Sequence, residues 1–214
     1  MIRTVIVEDK PVIQEYLRDM LLADGRFSVE AILRDAFASE ELCRGGGIDL
    51  VLMDVQTLHN HSGLASGQRI RAMGKKTKVV AVTSLVDPDV LAQAKMGAAD
   101  SLWYKDHGSE ELIDVIERTL NGERVFPGSA PSIELNEMFS GDITPRQMSV
   151  LRCFVKGMTY DEIASELKLS KIGVRKILEG LIAKGGFANK YELLIAVVEN
   201  KLVVTTLMDQ EPED

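Results

Sequence analysis

The run Asp49-Leu50-Val51-Leu52-Met53-Asp54 restricts the fold more than any other stretch, because four consecutive apolar residues stop abruptly at a carboxylate. An apolar run this short, bounded by charge and preceded by Gly45-Gly46-Gly47, reads as a strand buried on both faces of a parallel sheet. The residues after Asp54 turn polar, which places its side chain at the carboxyl end of the strand, where open α/β sheets gather their ligands.

Similar runs recur at Thr4-Val5-Ile6-Val7, Phe27 to Leu33, Val79 to Val82 and Ser101 to Tyr104. Between and after them the apolar residues fall at helical spacing, as in Val12, Ile13, Tyr16, Leu17 and Met20, or Leu112, Ile113, Ile116 and Leu120, with Ser109 expected to cap the latter helix. Five strands with intervening helices predict a doubly wound, five-stranded parallel sheet of the flavodoxin-like kind. In that fold Glu8 and Asp9 end the first strand, Asp54 the third, Thr83 the fourth and Lys105 the fifth, so all five polar residues are expected at one rim. Any one of them alone reads as a cap or a solvated turn residue. Together they describe carboxylates that repel one another unless a hard cation such as Mg²⁺ neutralises them, with a lysine and a hydroxyl able to bind phosphoryl oxygens. The chemistry implied is phosphoryl transfer onto Asp54.

Charge divides the chain. The net formal charge is -8, yet residues 1–124 carry 15 basic against 20 acidic side chains, whereas residues 142–203 carry 10 against 7. The second block is therefore about +3 within an acidic protein, which suits an anionic partner. After Gly122 the strand and helix alternation ends, and Phe126-Pro127-Gly128-Ser129-Ala130-Pro131-Ser132 has linker composition. The expected division is 1–123 for the α/β domain, 124–141 for the linker, 142–204 for a second domain and 205–214 for an acidic, solvated tail. No apolar run reaches membrane-spanning length, and Cys43 and Cys153 form neither a metal pattern nor a disulfide framework, which fits a cytoplasmic protein.

The second block opens four helices in close succession. Thr144-Pro145-Arg146-Gln147 and Thr159-Tyr160-Asp161-Glu162 are capping boxes, and Ser170 and Asn189 can cap two more helices. Four short amphipathic helices predict an all-α bundle, and Tyr160 to Ala183 fits a helix-turn-helix. Its second helix carries Lys171, Arg175, Lys176 and Lys184 against one acid, Glu179, as a helix that enters a major groove requires.

Val7-Glu8-Asp9-Lys10-Pro11, Leu52-Met53-Asp54-Val55, Val82-Thr83-Ser84 and Ala98-Ala99-Asp100 through Lys105-Asp106 resemble the receiver domain of bacterial two-component response regulators. Ile143-Thr144-Pro145-Arg146, Gly157-Met158-Thr159, Glu162-Ile163-Ala164, Leu169-Ser170, Val174, Lys184, Gly186 and Asn189 resemble the LuxR-type DNA-binding domain, so the whole is similar to the NarL/FixJ family. The resemblance implies Asp54 as phosphoryl acceptor and Mg²⁺ held by Glu8, Asp9, Asp54 and the backbone carbonyl of Gln56. It further implies Lys105 on the phosphoryl group and Thr83 as the hydroxyl that signals. Leu102 stands where relatives carry an aromatic switch residue, and Gln56-Thr57-Leu58-His59-Asn60-His61-Ser62-Gly63 is one residue longer than their usual loop, with His59 and His61 expected in solvent.

On this reading the chain is a transcription factor, phosphorylated by a sensor histidine kinase, that binds double-stranded DNA through Lys171, Arg175, Lys176, Glu179 and Lys184, as a homodimer and without membrane contact. It is not an enzyme beyond its own phosphoryl transfer and dephosphorylation. An aspartyl-phosphate hydrolase would place a general acid two residues after the nucleophile, where Gln56 stands. The alternative reading is a phosphorylation-independent DNA-binding regulator that uses the first domain as a dimer scaffold.

Overall fold

The computed structural model describes residues 1–74, 76–107 and 110–203. They fall into two compact units, one formed by residues 1–84 and 88–129, the other by residues 130–203 together with Leu85–Asp87. Ser109 and the acidic tail lie outside the described residues.

The first unit alternates strands and helices: β1 (Ile2–Val7), α1 (Pro11–Asp24), β2 (Phe27–Leu33), α2 (Ala36–Gly45), β3 (Leu50–Asp54), α3 (Gly63–Ala72), β4 (Lys78–Thr83), α4 (Pro88–Gln93), β5 (Ser101–Tyr104) and α5 (Leu112–Leu120). The strands pair in parallel in the order β2-β1-β3-β4-β5. All five strands stand where the apolar runs place them. The reason is visible in β3, where every residue from Leu50 to Asp54 is buried, as a central parallel strand covered by helices on both faces demands. Ile6, Leu50, Leu52, Val80 and Val82 form the centre of one core, with Leu17 and Leu21 of α1 and Leu112, Val115 and Ile116 of α5 packed over them. The order reverses beside β1 and β3, and a crevice at that switch point, outside the strand ends, is where such sheets bind ligands.

Helix α5 begins at Leu112 with Glu111 in the N-cap position and no side-chain cap. Helix α4 is only six residues long and passes into a π-helical turn over Ala94–Ala98, where Gly97 adopts a φ of 132°.

The second unit is helical apart from a two-stranded antiparallel hairpin, β6 (Glu134–Leu135) and β7 (Met138–Phe139), inside the stretch read as linker. Leu135 and Met138 are buried in the helical core, so this part of the 124–141 segment is structure and not spacer. Helices α6 (Pro145–Val155), α7 (Tyr160–Glu166), α8 (Lys171–Lys184) and α9 (Lys190–Glu199) follow. Their starts are set by local chemistry. Both capping boxes form, Thr144 with Gln147 and Thr159 with Glu162, while Ser170 accepts from Gly173 N and Asn189 from Tyr191 N and Glu192 N. The fully buried Val174, Leu178 and Leu181 anchor α8, offsetting the roughly 1 kcal/mol that each of Gly173 and Gly180 costs relative to alanine.

Candidate phosphoacceptor site and basic recognition helix

The carboxyl ends of β1, β3, β4 and β5 bring Glu8, Asp9, Asp54, Thr83 and Lys105 to one rim, as the strand assignment requires. Ligand oxygens of Glu8, Asp9 and Asp54 lie within 4.8 Å of one another. Glu8 and Asp54 are buried, at 0% and 6% exposure, and Thr83, at the end of β4 next to β3 in the sheet, is fully buried. Lys105 Nζ lies 3.2 Å from Asp54 Oδ2 and also donates to Glu8 Oε2. The backbone supports the same groups: Val55 N donates to Asp54 Oδ1 at 2.8 Å and Lys10 N to Glu8 Oε1 at 3.1 Å.

One ammonium thus answers two buried carboxylates. Burial pushes the Asp54 carboxyl up to about 7, with Glu8 adding repulsion and Lys105 and the Val55 amide opposing the rise. Burial pulls the Lys105 ammonium down, but Asp54 and Glu8 outweigh it, and the net direction is upward. Asp9 Oδ1 is buried and has no hydrogen-bond partner among the described residues. An orphaned carboxylate oxygen of this kind, facing two further carboxylates, fits a hard, oxygen-seeking cation. Gln56 is exposed on the loop after β3, and the ligand role that the resemblance implies falls on its backbone carbonyl. Leu102 is buried in β5, paired in register with Ala81, while the neighbouring Trp103 is half-buried and donates from Nε1 to Glu110 O at 2.8 Å.

Two residues near the site escape the sequence reading. Gly63 opens α3 directly under the acceptor, and a Cβ there would collide with the Asp54 carbonyl oxygen; the sequence signal is a lone glycine at the start of a helical pattern. His61 is not in solvent. Its Nδ1 lies 2.9 and 3.0 Å from the two carboxylate oxygens of Asp35, and its ring packs on Phe37 at a centroid distance of 4.0 Å. Partners 26 residues apart in sequence leave no local signal.

In the second unit Lys171, Arg175, Lys176, Glu179 and Lys184 are all exposed on α8. Most are already answered by acids. Lys171 Nζ pairs with Asp161 at 2.6 Å, Arg175 Nε with Glu179 one turn on at 2.7 Å, and Lys184 Nζ lies 3.8 Å from Asp142. Pairs this exposed contribute little to stability. Among the described residues no helix is long and apolar enough to cross a membrane.

Comparison with known proteins agrees with this architecture. Residues 4–117 match the family described as response regulator receiver domain, more than half of the chain, and the protein belongs to the response regulators. Residues 142–197 match the luxR family of bacterial regulatory proteins. The chain is a DNA-binding response regulator of the NarL/FixJ type, with a receiver followed by a LuxR-type helix-turn-helix domain. It is similar to the nitrate/nitrite response regulator NarP of Escherichia coli (27% identity, 85% of this chain and 87% of NarP) and to the transcriptional regulatory protein YxjL of Bacillus subtilis (24%, 94% and 97%). Among solved structures, RcsB of Salmonella enterica serovar Typhimurium, bound to promoter rprA with the phosphomimetic BeF3-, shares the fold at a TM-score of 0.59 and 19% identity. That alignment covers 92% of this chain and 98% of RcsB. A structure of two RcsB dimers on two parallel DNAs gives a TM-score of 0.60 at 19% identity over the same shares.

Proposed function

We propose that Asp54 accepts a phosphoryl group from a partner sensor histidine kinase and that its state controls DNA binding by α8. The observation that carries this reading is the cluster of buried Glu8 and Asp54 with half-buried Asp9 and Lys105: three carboxylates answered by one ammonium cost a fold stability, which points to retention for function. Glu8, Asp9, Asp54 and the Gln56 carbonyl would hold Mg²⁺, which supplies charge neutralisation for the incoming phosphoryl oxygens. The Asp54 carboxylate attacks phosphorus as the phosphorus–nitrogen bond to the donor histidine breaks, and the electron pair leaves with the imidazole. Lys105 can follow the negative charge from the carboxylates to the phosphoryl group, and the Thr83 hydroxyl can donate to another of its oxygens. Beyond this transfer and the later loss of the phosphoryl group the protein turns over no substrate.

Arg175 and Lys176 are proposed to contact bases and phosphates in the major groove of double-stranded DNA, with Lys171 and Lys184 on the backbone and Glu179 able to accept from a base amino group. One small helical domain makes few contacts, so a phosphorylation-favoured homodimer on two half-sites is expected, and the DNA-bound dimers of RcsB support that arrangement. A Phos-tag gel after incubation with acetyl phosphate and Mg²⁺ tests the first step: the wild type should shift and Asp54→Asn should not. Equal operator affinity for the two proteins, with and without phosphodonor, would instead support control without phosphorylation.

A further inference from the structure

The loop between β3 and α3 runs from Val55 to Ser62 and is held from the side. Thr57 Oγ1 accepts from Ala36 N at 3.1 Å and donates to His61 O at 3.0 Å, and Leu58 N donates to Arg34 O at 2.9 Å. His61 Nδ1–H reaches both oxygens of Asp35, whose Oδ1 also caps α2 by accepting from Phe37 N at 2.9 Å. The near end of the loop is closed by Thr57 N donating to His61 O and Gly63 N to Val55 O. At its tip His59 and Asn60 both adopt left-handed backbone conformations, with φ of 61° and 59°. Two successive non-glycine residues in that region persist only where the surroundings over-determine them.

The geometry points to His61 and Asp35 as a positioning pair for the phosphoacceptor site: a latch between the β2–α2 turn and the β3–α3 loop that fixes the backbone around Gln56 against the carboxylate cluster. Neither side chain touches the cluster; the pair acts through the loop. Mg²⁺ demands near-ideal octahedral geometry, so a backbone carbonyl offered from a loose loop binds it far less well than one offered from a fixed loop. The same logic governs the attack on phosphorus, where small misplacement of the acceptor lowers the rate. The inference rests on the proposed cation-dependent phosphorylation of Asp54.

Mn²⁺ serves as the probe, because it takes the same oxygen ligands and its free-ion EPR signal counts unbound metal directly. Full-length wild type, Asp54→Asn, His61→Ala, Asp35→Asn, Asp35→Ser and the double variant His61→Ala/Asp35→Ser are titrated below their melting temperatures, and initial phosphorylation by acetyl phosphate is followed in parallel. His61→Ala should bind Mn²⁺ at least fivefold more weakly than wild type and take up phosphate correspondingly more slowly. Asp35→Asn keeps both the helix cap and an acceptor for the imidazole and should stay within twofold of wild type. Asp35→Ser keeps a cap for α2 but is too short to reach the imidazole, and it should lose as much as His61→Ala. The double variant should lose no more than either single, as expected for two halves of one device. Thr57→Val, which removes the hydroxyl bridging the same two turns, should show the same loss and substitutes if His61→Ala does not fold. A His61→Ala protein that holds Mn²⁺ within twofold of wild type overturns the latch alone. A wild type that holds Mn²⁺ no better than Asp54→Asn overturns the site reading and the latch with it.

Discussion

The rim of the receiver sheet and the exposed face of α8 both collect charge, and they do so under opposite rules. At the rim Glu8 and Asp54 are buried and share one lysine, so burial opposes their charges and a few close contacts to Lys105 and backbone amides hold them. On α8, Lys171, Arg175 and Lys184 are exposed and paired with acids from α7, from α8 itself and from the turn before α6. The difference teaches where each half keeps its free energy. The rim concentrates it in single residues, whereas the helix spreads it over weak, salt-screened contacts that add up only on a partner.

Lys105→Met tests the concentrated side most severely. It leaves two buried carboxylates unanswered, and a loss on the order of 3 kcal/mol is expected in metal-free thermal or urea unfolding. A loss below about 1 kcal/mol would show that the rim is wetter than its burial indicates.

A nearly equal effect should appear as pH dependence. In the unfolded chain Asp54 titrates near the ordinary carboxylate value of about 4, whereas in the metal-free fold its carboxyl is pushed up to about 7. Between those values the folded state binds more protons, so Asp54 contributes stability that is fully present below about pH 4 and lost as pH rises to 7. Chelated wild type should therefore weaken by about 2–4 kcal/mol across that window relative to Asp54→Asn, measured by urea unfolding at several pH values. A parallel pH profile for the two proteins would break the contrast between the regions.

The smallest effects belong to α8. Arg175→Ala and Lys176→Ala should each weaken operator binding by about 1–2 kcal/mol and lower the slope of log affinity against log salt by about 1, read by fluorescence anisotropy. Glu179→Gln frees Arg175 and should tighten non-specific binding by only about threefold. A loss of 4 kcal/mol from one α8 substitution would make the helix resemble the rim.

Legibility in the sequence followed the same divide between local and distant causes. The strands were legible because Leu50 to Met53 and Val79 to Val82 are apolar on both faces and end in polar residues, and a parallel sheet then fixes where those ends meet. Helix starts were legible because a capping box is complete within four residues. The hairpin at Leu135 and Met138 was not, since strands of two residues have no periodicity to detect. Nor was the partner of His61, because a contact between Asp35 and His61 depends on two loops meeting only after the sheet has formed. The rim residues themselves were named from the sequence, but the double duty of Lys105 and the orphaned oxygen of Asp9 are facts of distance.

The hairpin also bears on how the protein can be dissected. A fragment cut at residue 142, where the four-helix pattern starts, would discard Leu135 and Met138 and leave an apolar hollow open to water on the helical core. A DNA-binding fragment should therefore begin ahead of Ile133, and the segment outside both cores is shorter than the 124–141 stretch read as linker.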